Sequence, residues 1–292
     1  MARSKNPKWL EPLWEQKKSE TAKRVEGAVK ELAKQGETVT LDRIRQTGAI
    51  RLGYRADAKP YSYRDAQGQP AGYVVDLCLQ VAAAIQPKPR VEFVLVSAEQ
   101  RFEAVRDGRI DILCDPSSVT MQRREMVDFS LPTFVEGAGV ISRAKPITVF
   151  EDLAGKKVGV LAGTTTEETL RKSLADLKLK TEVIPVTDHR AGLDLLSDGK
   201  IDAYFADRGI VAAMLREGGR PGIQISKQYF SYETYALALP RDDGAFRLAV
   251  DRTLARLFRT GKIDDLMART FGRTPADELL KALTIINSVP DK

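Results

Sequence analysis

From Thr40 onward, short apolar runs alternate with amphipathic stretches of helical period. The runs "AIRLGYR" (49–55), "RVEFVLV" (90–96), "IDILC" (110–114), "KKVGVLA" (156–162), "TEVIPV" (181–186) and "IDAYFA" (201–206) predict buried strands. They are too short for helices and are bounded by glycine, proline or charge. Between them, "GYVVDLCLQVAAAIQ" (72–86), "AEQRFEAVRDGR" (98–109), "TTEETLRKSLADL" (165–177) and "RAGLDLLSDG" (190–199) predict helices, the second ended by Gly108. This alternation predicts an α/β protein with mainly parallel sheets flanked by helices. The rhythm breaks between 130 and 150 and then resumes. "VRDGRIDILCD" and "LSDGKIDAYFAD" share Asp-Gly-(Arg/Lys)-Ile-Asp followed by an apolar strand and an aspartate. Two similar units in tandem imply two lobes with strand ends facing a common cleft, the place where open α/β sheets bind ligands.

Residues 1–38 have a different texture and contain both tryptophans, Trp9 and Trp14. Val25, Val29 and Leu32 lie at helical spacing, with charges on the other side and Gly36 closing the stretch. "AKRVEGAVKELAKQGETVTLDRIRQTGA" loosely resembles the opening helices of helix-turn-helix proteins but stops short of a complete recognition helix. It is read as an added helical arm.

The 292 residues leave room for two domains, and 43% hydrophobic with 29% charged residues is ordinary for a globular chain. No apolar run is long enough for a transmembrane helix. The N-terminus is basic but has no apolar core, so it is not read as a signal peptide. The net charge of +6 is spread along the chain, which argues against a nucleic-acid partner. Cys78 and Cys114 are the only cysteines, too few for a zinc site; their apolar surroundings predict buried thiols, with a single bridge open in an oxidising compartment. His189 is the only histidine, which excludes a metal site built from several imidazoles. No nucleotide P-loop, dinucleotide fingerprint, zinc-protease or serine-hydrolase motif is present, so neither cofactor nor metal is expected.

Three stretches past strand ends carry candidate chemistry. "CDPSSVTMQRREMVDFS" (114–130) places Ser117, Ser118 and Arg123 together, either an anion site or a helix cap with a solvated basic face. "GYRADAKPYSY" brings Arg55. In "LAGTTTEETL", Thr165 and Glu168 fit a capping box, and a helix start of this kind also offers N–H groups to an anion.

"TLDRIRQTGAIRLGYR", "PYSYRDAQGQPAGYVVDLC", the arginine after "PSSVT", "VDFSLPTF", "LAGKKVGVLAGTTTEE", "GKIDAYFAD" and "YALALPRDDGAFRLAVDRTLARLFRTGKIDDLMARTFG" occur in this order. From about Thr40 to Gly272 the chain therefore resembles the periplasmic polar amino-acid-binding proteins of ABC importers. Through "GYR", "EQR" and "TDHRAG" it is most similar to the glutamate/aspartate-binding branch. The resemblance implies a two-lobed periplasmic-binding-protein-like fold: 39–134 with 233–292 as lobe 1, 135–232 as lobe 2, and a ligand cleft that closes by a hinge. Arg123 would hold the ligand α-carboxylate through a bidentate pair, Ser118 and Thr165 (with its backbone N–H) would add donors, and Asp207 would take the α-ammonium. Arg55, acidic in relatives selective for basic amino acids, would join Arg101 and His189 on an acidic side chain. Arg124 would face solvent, and for His189 a solvent-facing place at a helix start stands beside the ligand role. The implied partners are a small-molecule amino acid and an ABC permease, in the periplasm, with the protein a monomer.

Two residues depart from the branch: Pro116 replaces a serine that touches the ligand, and Ala98 replaces a hydroxyl or aromatic residue. The expected leader is replaced by the arm at 1–38. Two rival classes follow. Cyclohexadienyl dehydratases share the fold and eliminate water and carbon dioxide from prephenate or arogenate; they need a general acid, for which Glu233 and Asp207 are the candidates. A sensing module would use residues 1–38 to dock a partner.

Overall fold

The computed structural model describes residues 39–143, 145–218, 221–272 and 278–292; the predicted arm over 1–38 lies outside them. Helix α1 (Val39–Thr47) leads into β1 (Ala49–Tyr54), followed by a small ribbon of β2 (Asp57–Ala58), β3 (Ser62–Arg64) and β4 (Pro70–Ala71). Next come α2 (Tyr73–Ala84), β5 (Arg90–Leu95), α3 (Arg101–Arg106), β6 (Ile112–Cys114), the short α4 (Met121–Arg124) and β7 (Asp128–Glu136). After Gly137 the chain enters β8 (Ala138–Arg143), then β9 (Lys157–Leu161), α5 (Thr165–Asp176), β10 (Glu182–Val186), α6 (His189–Ser197), β11 (Ala203–Asp207), α7 (Arg208–Gly218) and β12 (Ile223–Ile225). It returns through β13 (Glu233–Leu239) and ends in α8 (Gly244–Arg259), α9 (Lys262–Phe271) and α10 (Glu278–Asn287).

These strands form two five-stranded sheets, ordered β5-β1-β6-β13-β7 and β10-β9-β11-β8-β12. In the first, β1 is parallel to β5 and β6, while β13 is antiparallel to β6 and β7. In the second, β9 is parallel to β10 and β11, while β8 is antiparallel to β11 and β12. The sheets are thus mixed, because the crossing strands join them with reversed direction. Each sheet is covered on both faces, which is why its strands read as continuous apolar runs. In the second sheet Tyr204 packs with Ile141 and Leu193, whereas its neighbour Phe205 packs on the other face with Val140 and Val158.

The repeated Asp-Gly-(Arg/Lys)-Ile-Asp stretch has one physical meaning in both lobes. Gly108 and Gly199, with φ of +65° and +69°, end α3 and α6 in the left-handed conformation that glycine adopts without strain. The following aspartates then clamp the start of the neighbouring strand. Asp111 donates its N–H to Arg51 O at 2.8 Å and accepts Arg51 N–H at 2.7 Å; Asp202 and Lys157 exchange the same two bonds, each at 2.8 Å.

Cys78 on α2 and Cys114 at the end of β6 form a disulfide, which corrects the expectation of two buried thiols. Their Cα atoms are 6.1 Å apart, within the range a bridge spans, because α2 packs across β6.

Candidate functional site

The carboxyl ends of parallel strands deliver almost every candidate residue to one cleft. Arg55 follows β1, Arg101 lies beyond β5, and Ser118 and Arg123 lie beyond β6. From the other lobe, Thr165 lies beyond β9, His189 beyond β10, and Asp207 closes β11.

Lobe 1 contributes guanidinium groups held in place by partners of their own lobe. Arg55 is 4% exposed, and its Nε and Nη2 both donate to one oxygen of Asp57, at 2.8 and 2.6 Å. Burial pushes the Asp57 carboxyl up, but the Arg55 guanidinium and His189 outweigh it and hold it below the usual carboxylate range. Arg101 is equally buried; Nη1 donates to Ala98 O, and Nε lies 3.2 Å from the Asp115 carboxylate. Burial brings its pKa down to about 10 despite Asp115, with Arg123 and Arg55 adding repulsion. Arg123 donates from Nη1 to Ser118 O at 2.8 Å, and both Arg101 and Arg123 lie 4.7 Å from the Phe102 ring centre. Among the described residues, Arg123 has no carboxylate at ion-pair distance, and one Nη of each of the three arginines makes no hydrogen bond.

Both readings of the Ser-Ser-Arg stretch hold, at different residues. Thr120 caps α4, accepting Arg123 N–H at 3.1 Å. The turn that follows directs Arg123 inward and leaves Arg124 exposed.

The predicted capping box slips by one residue. Thr164, not Thr165, caps α5, accepting Glu167 N–H at 3.2 Å; Glu167 takes Gly163 N–H at 3.0 Å, and Glu168 is exposed. The slip frees the Thr165 side chain for the cleft. There it donates to Glu233 Oε2 at 2.6 Å, and Ser118 Oγ donates to the same oxygen. The two hydroxyl oxygens are 3.1 Å apart across the lobes. Both had been expected to donate to a ligand carboxylate; here Glu233 is their acceptor. Asp207 accepts Thr166 Oγ1 at 3.2 Å, and its carboxyl is pushed up to about 7 by burial, then by Glu233 and Glu136.

His189 is 2% exposed, so its solvent-facing alternative does not hold. Its Nδ1 is 2.9 Å from the Tyr204 hydroxyl, its backbone N–H donates to Asp57 Oδ2 at 3.3 Å across the cleft, and Nε2 has no partner among the described residues. Burial lowers its pKa to about 4 against the pull of Asp57, so the imidazole is neutral at neutral pH.

Sequence reading passed over Asp57 and Asp115 and saw Glu233 only as a possible acid. Asp57 stands two residues after Arg55, and Asp115 directly follows its strand; that placement was the available signal. Nothing local in the chain ties Glu233 to residues 115 and 68 positions away.

Two α/β lobes with a cleft between them, lined by arginines of the first lobe and by hydroxyls and carboxylates from both, define a two-lobed solute-binding protein. Residues 50–273 match the bacterial extracellular solute-binding proteins, family 3, and the chain belongs to that family. It is 31% identical over 242 residues to the L-glutamate/L-aspartate-binding protein of Pseudomonas aeruginosa, covering 80% of each chain. The cyclohexadienyl dehydratase of the same organism is 30% identical over 227 residues, 75% of this chain and 81% of that one. The solved structure of the solute receptor for L-cysteine of Neisseria gonorrhoeae matches with a TM-score of 0.73 at 28% identity, covering 80% of this chain and 93% of that one. The family is one of binding rather than catalysis.

Proposed function

We propose that the chain captures an L-amino acid with an acidic side chain, glutamate or aspartate, and passes it to the permease of an ABC importer in the periplasm. One observation carries this reading: two buried guanidinium groups, Arg55 and Arg101, and the half-buried one of Arg123, each with an unused Nη, converge on one cleft. Arg123, without a carboxylate of its own, would take the α-carboxylate. Arg55 and Arg101, with His189 as a neutral neighbour, would take the side-chain carboxylate. A ligand with two carboxylates fits three arginines better than one with a cationic side chain, and the 31% identical relative points the same way.

The moving units in this reading are 39–134 with 233–292 and, opposite them, 135–232. They would hinge at Gly137, where an added Cβ would meet the Ser231 carbonyl, just before the returning strand β13, and force the two crossing segments apart. A thermal-shift screen tests the ligand class. At hundredfold excess over its Kd, a ligand adds about 2.7 kcal/mol to stability. Glutamate or aspartate is expected to raise Tm more than lysine or arginine; a larger shift with lysine would contradict the reading.

The Asp207 carboxyl, raised to about 7 and so partly protonated near neutral pH, favours one second reading, a dehydratase with that group as general acid. The 30% identical relative gives it a precedent. Incubation with prephenate and arogenate separates the two, and no turnover is the expected result.

A further inference from the structure

We propose that Asp57 and Glu233 are resident competitors of the ligand: each carboxylate spans the two lobes on donors that a ligand carboxylate would use, and the ligand binds by displacing them. This deepens the acidic amino-acid reading and rests on it.

Glu233 sits on the donors beside Arg123. It opens β13, where the chain returns to the first lobe. Its Oε2 accepts Ser118 Oγ from the first lobe and Thr165 Oγ1 from the second, the latter at 2.6 Å. Ser231 aims the carboxylate: its Oγ donates to Oε1 at 3.1 Å and accepts Ala138 N–H at 3.1 Å. Arg123 lies against Ser118, with Nη1 on its carbonyl at 2.8 Å. A ligand carboxylate gripped by Arg123 therefore arrives beside these two hydroxyls. A serine or threonine side chain has one O–H to donate, and both are directed to Glu233. The two hydroxyl oxygens are 3.1 Å apart, so a second carboxylate shares them only by setting like charges side by side.

Asp57 does the same at Arg55. It lies on β2, and its Oδ1 takes both Nε and Nη2 of Arg55, at 2.8 and 2.6 Å. Its Oδ2 takes the backbone N–H of His189, in the second lobe, at 3.3 Å. Nε and Nη2 form one of the edges with which a guanidinium grips a carboxylate through two parallel bonds. With that edge filled, Nη1 is the one nitrogen of the Arg55 side chain that has no acceptor among the described residues.

The two contacts share one logic. At each place where an amino acid with two carboxylates would present one of them, the chain holds a carboxylate of its own. Each also ties a group of one lobe to a group of the other, so the pair clasps the cleft. Another cross-lobe ion pair, Lys59 with Glu217, is exposed to solvent and adds little. Binding is then an exchange, in which a ligand carboxylate enters and a resident one turns out to water. The Asp57 side chain, 22% exposed, already borders solvent, and Glu233 is half-buried. Affinity is the difference between two similar sets of bonds and falls below what the donors alone would give. Glu233 opposes the carboxylate that Arg123 takes, which every amino acid carries. Asp57 opposes only an acidic side chain.

Titration calorimetry of the full chain, with L-glutamate and L-glutamine as probes, tests the exchange. Asp57→Asn should tighten L-glutamate about tenfold and L-glutamine by less, and Glu233→Gln should tighten both about tenfold, because each variant removes a like charge from donors that the ligand needs. Small-angle scattering tests the clasp. Before ligand is added, the wild type should already have the radius of gyration that it has with saturating L-glutamate, whereas both variants should be larger and contract on titration. Unchanged or weaker L-glutamate binding in either variant, or a wild type that contracts on L-glutamate as much as the variants do, would overturn the proposal and leave the acidic amino-acid reading standing. No binding of L-glutamate by the wild type or by either variant would overturn that reading and this proposal with it. The wild-type scattering decides the clasp even if a variant does not fold.

Discussion

The two faces of the cleft solve different problems with different chemistry. The face from the first sheet is cationic and braced. Arg55 is tied to Asp57 and Arg101 is set against Asp115, and a disulfide pins the strand that leads to Ser118 and Arg123. The face from the second sheet carries Thr165, His189 and Asp207, whose intralobe partners are neutral groups: Tyr204 for His189 and Thr166 for Asp207. A guanidinium keeps its charge at any working pH and needs only to be aimed, so the first face depends on geometry. The second face depends on protonation, because burial has moved the carboxyl and the imidazole in opposite directions toward neutral forms. In the proposed reading an amino acid would need both faces, which come together only where the lobes meet.

The largest expected effect breaks the first face. Arg123→Ala removes the guanidinium that lacks a carboxylate of its own, and should weaken every amino-acid ligand by roughly 2–5 kcal/mol, by analogy with buried charge pairs. Arg123→Lys keeps the charge but not the planar fork, and should also bind less well. Arg124→Ala, on the exposed side of the same turn, should change binding by less than about 0.5 kcal/mol. Titration calorimetry of the three variants measures this, and equal losses at 123 and 124 would reverse the assignment.

Removing the brace comes next. Cys78→Ala with Cys114→Ala opens a bridge across 36 residues and should cost roughly 2–4 kcal/mol, read from denaturant unfolding. The loss should fall on lobe 1 and on Arg123-dependent binding. An unchanged midpoint would show that the first face needs no brace.

The second face is tested by acid. His189 is held neutral, with its pKa lowered from 6.5 to about 4, so the folded state binds fewer protons than the unfolded chain between those values. Its contribution is complete above 6.5 and is lost as pH falls toward 4, by about 3 kcal/mol in all. Asp207 acts the other way over an overlapping range, because its folded carboxyl keeps a proton up to about 7. The difference between wild type and His189→Asn isolates the histidine: the variant should lose less stability between pH 6.5 and 4. Parallel curves would mean that the imidazole is not buried neutral.

The smallest effect is expected at the N-terminus. Both sheets and the cores described around them are built from Thr40 onward, so removal of 1–38 should leave cooperative unfolding and ligand affinity nearly unchanged, by thermal melt and calorimetry.

Much of the scaffold was legible in the chain because it rests on local periodicity. The helix predicted at 72–86 is Tyr73–Ala84, and the strand predicted at 156–162 is Lys157–Leu161. The first helix after β5 proved shorter than its pattern: residues 98–100 form a turn in which Ser97 Oγ accepts Gln100 N–H at 3.2 Å. The site was legible wherever a residue follows a strand end. It was illegible where one residue's role depends on another far along the chain. Thr164 and Thr165 are equivalent in pattern, and only Glu233 distinguishes the one that points into the cleft. Likewise nothing near Cys78 indicates that α2 will lay it over the end of β6.

The central claim, that the cationic face reads an acidic side chain through Arg55, is tested most directly by titrating wild type and Arg55→Ala with L-glutamate and L-lysine. Wild type should bind glutamate more tightly. In the variant, Asp57 loses the guanidinium that neutralises it, so glutamate affinity should fall by roughly 2–5 kcal/mol while lysine binding holds or improves. Tighter binding of lysine by the wild type, or an undiminished preference for glutamate in Arg55→Ala, would contradict it.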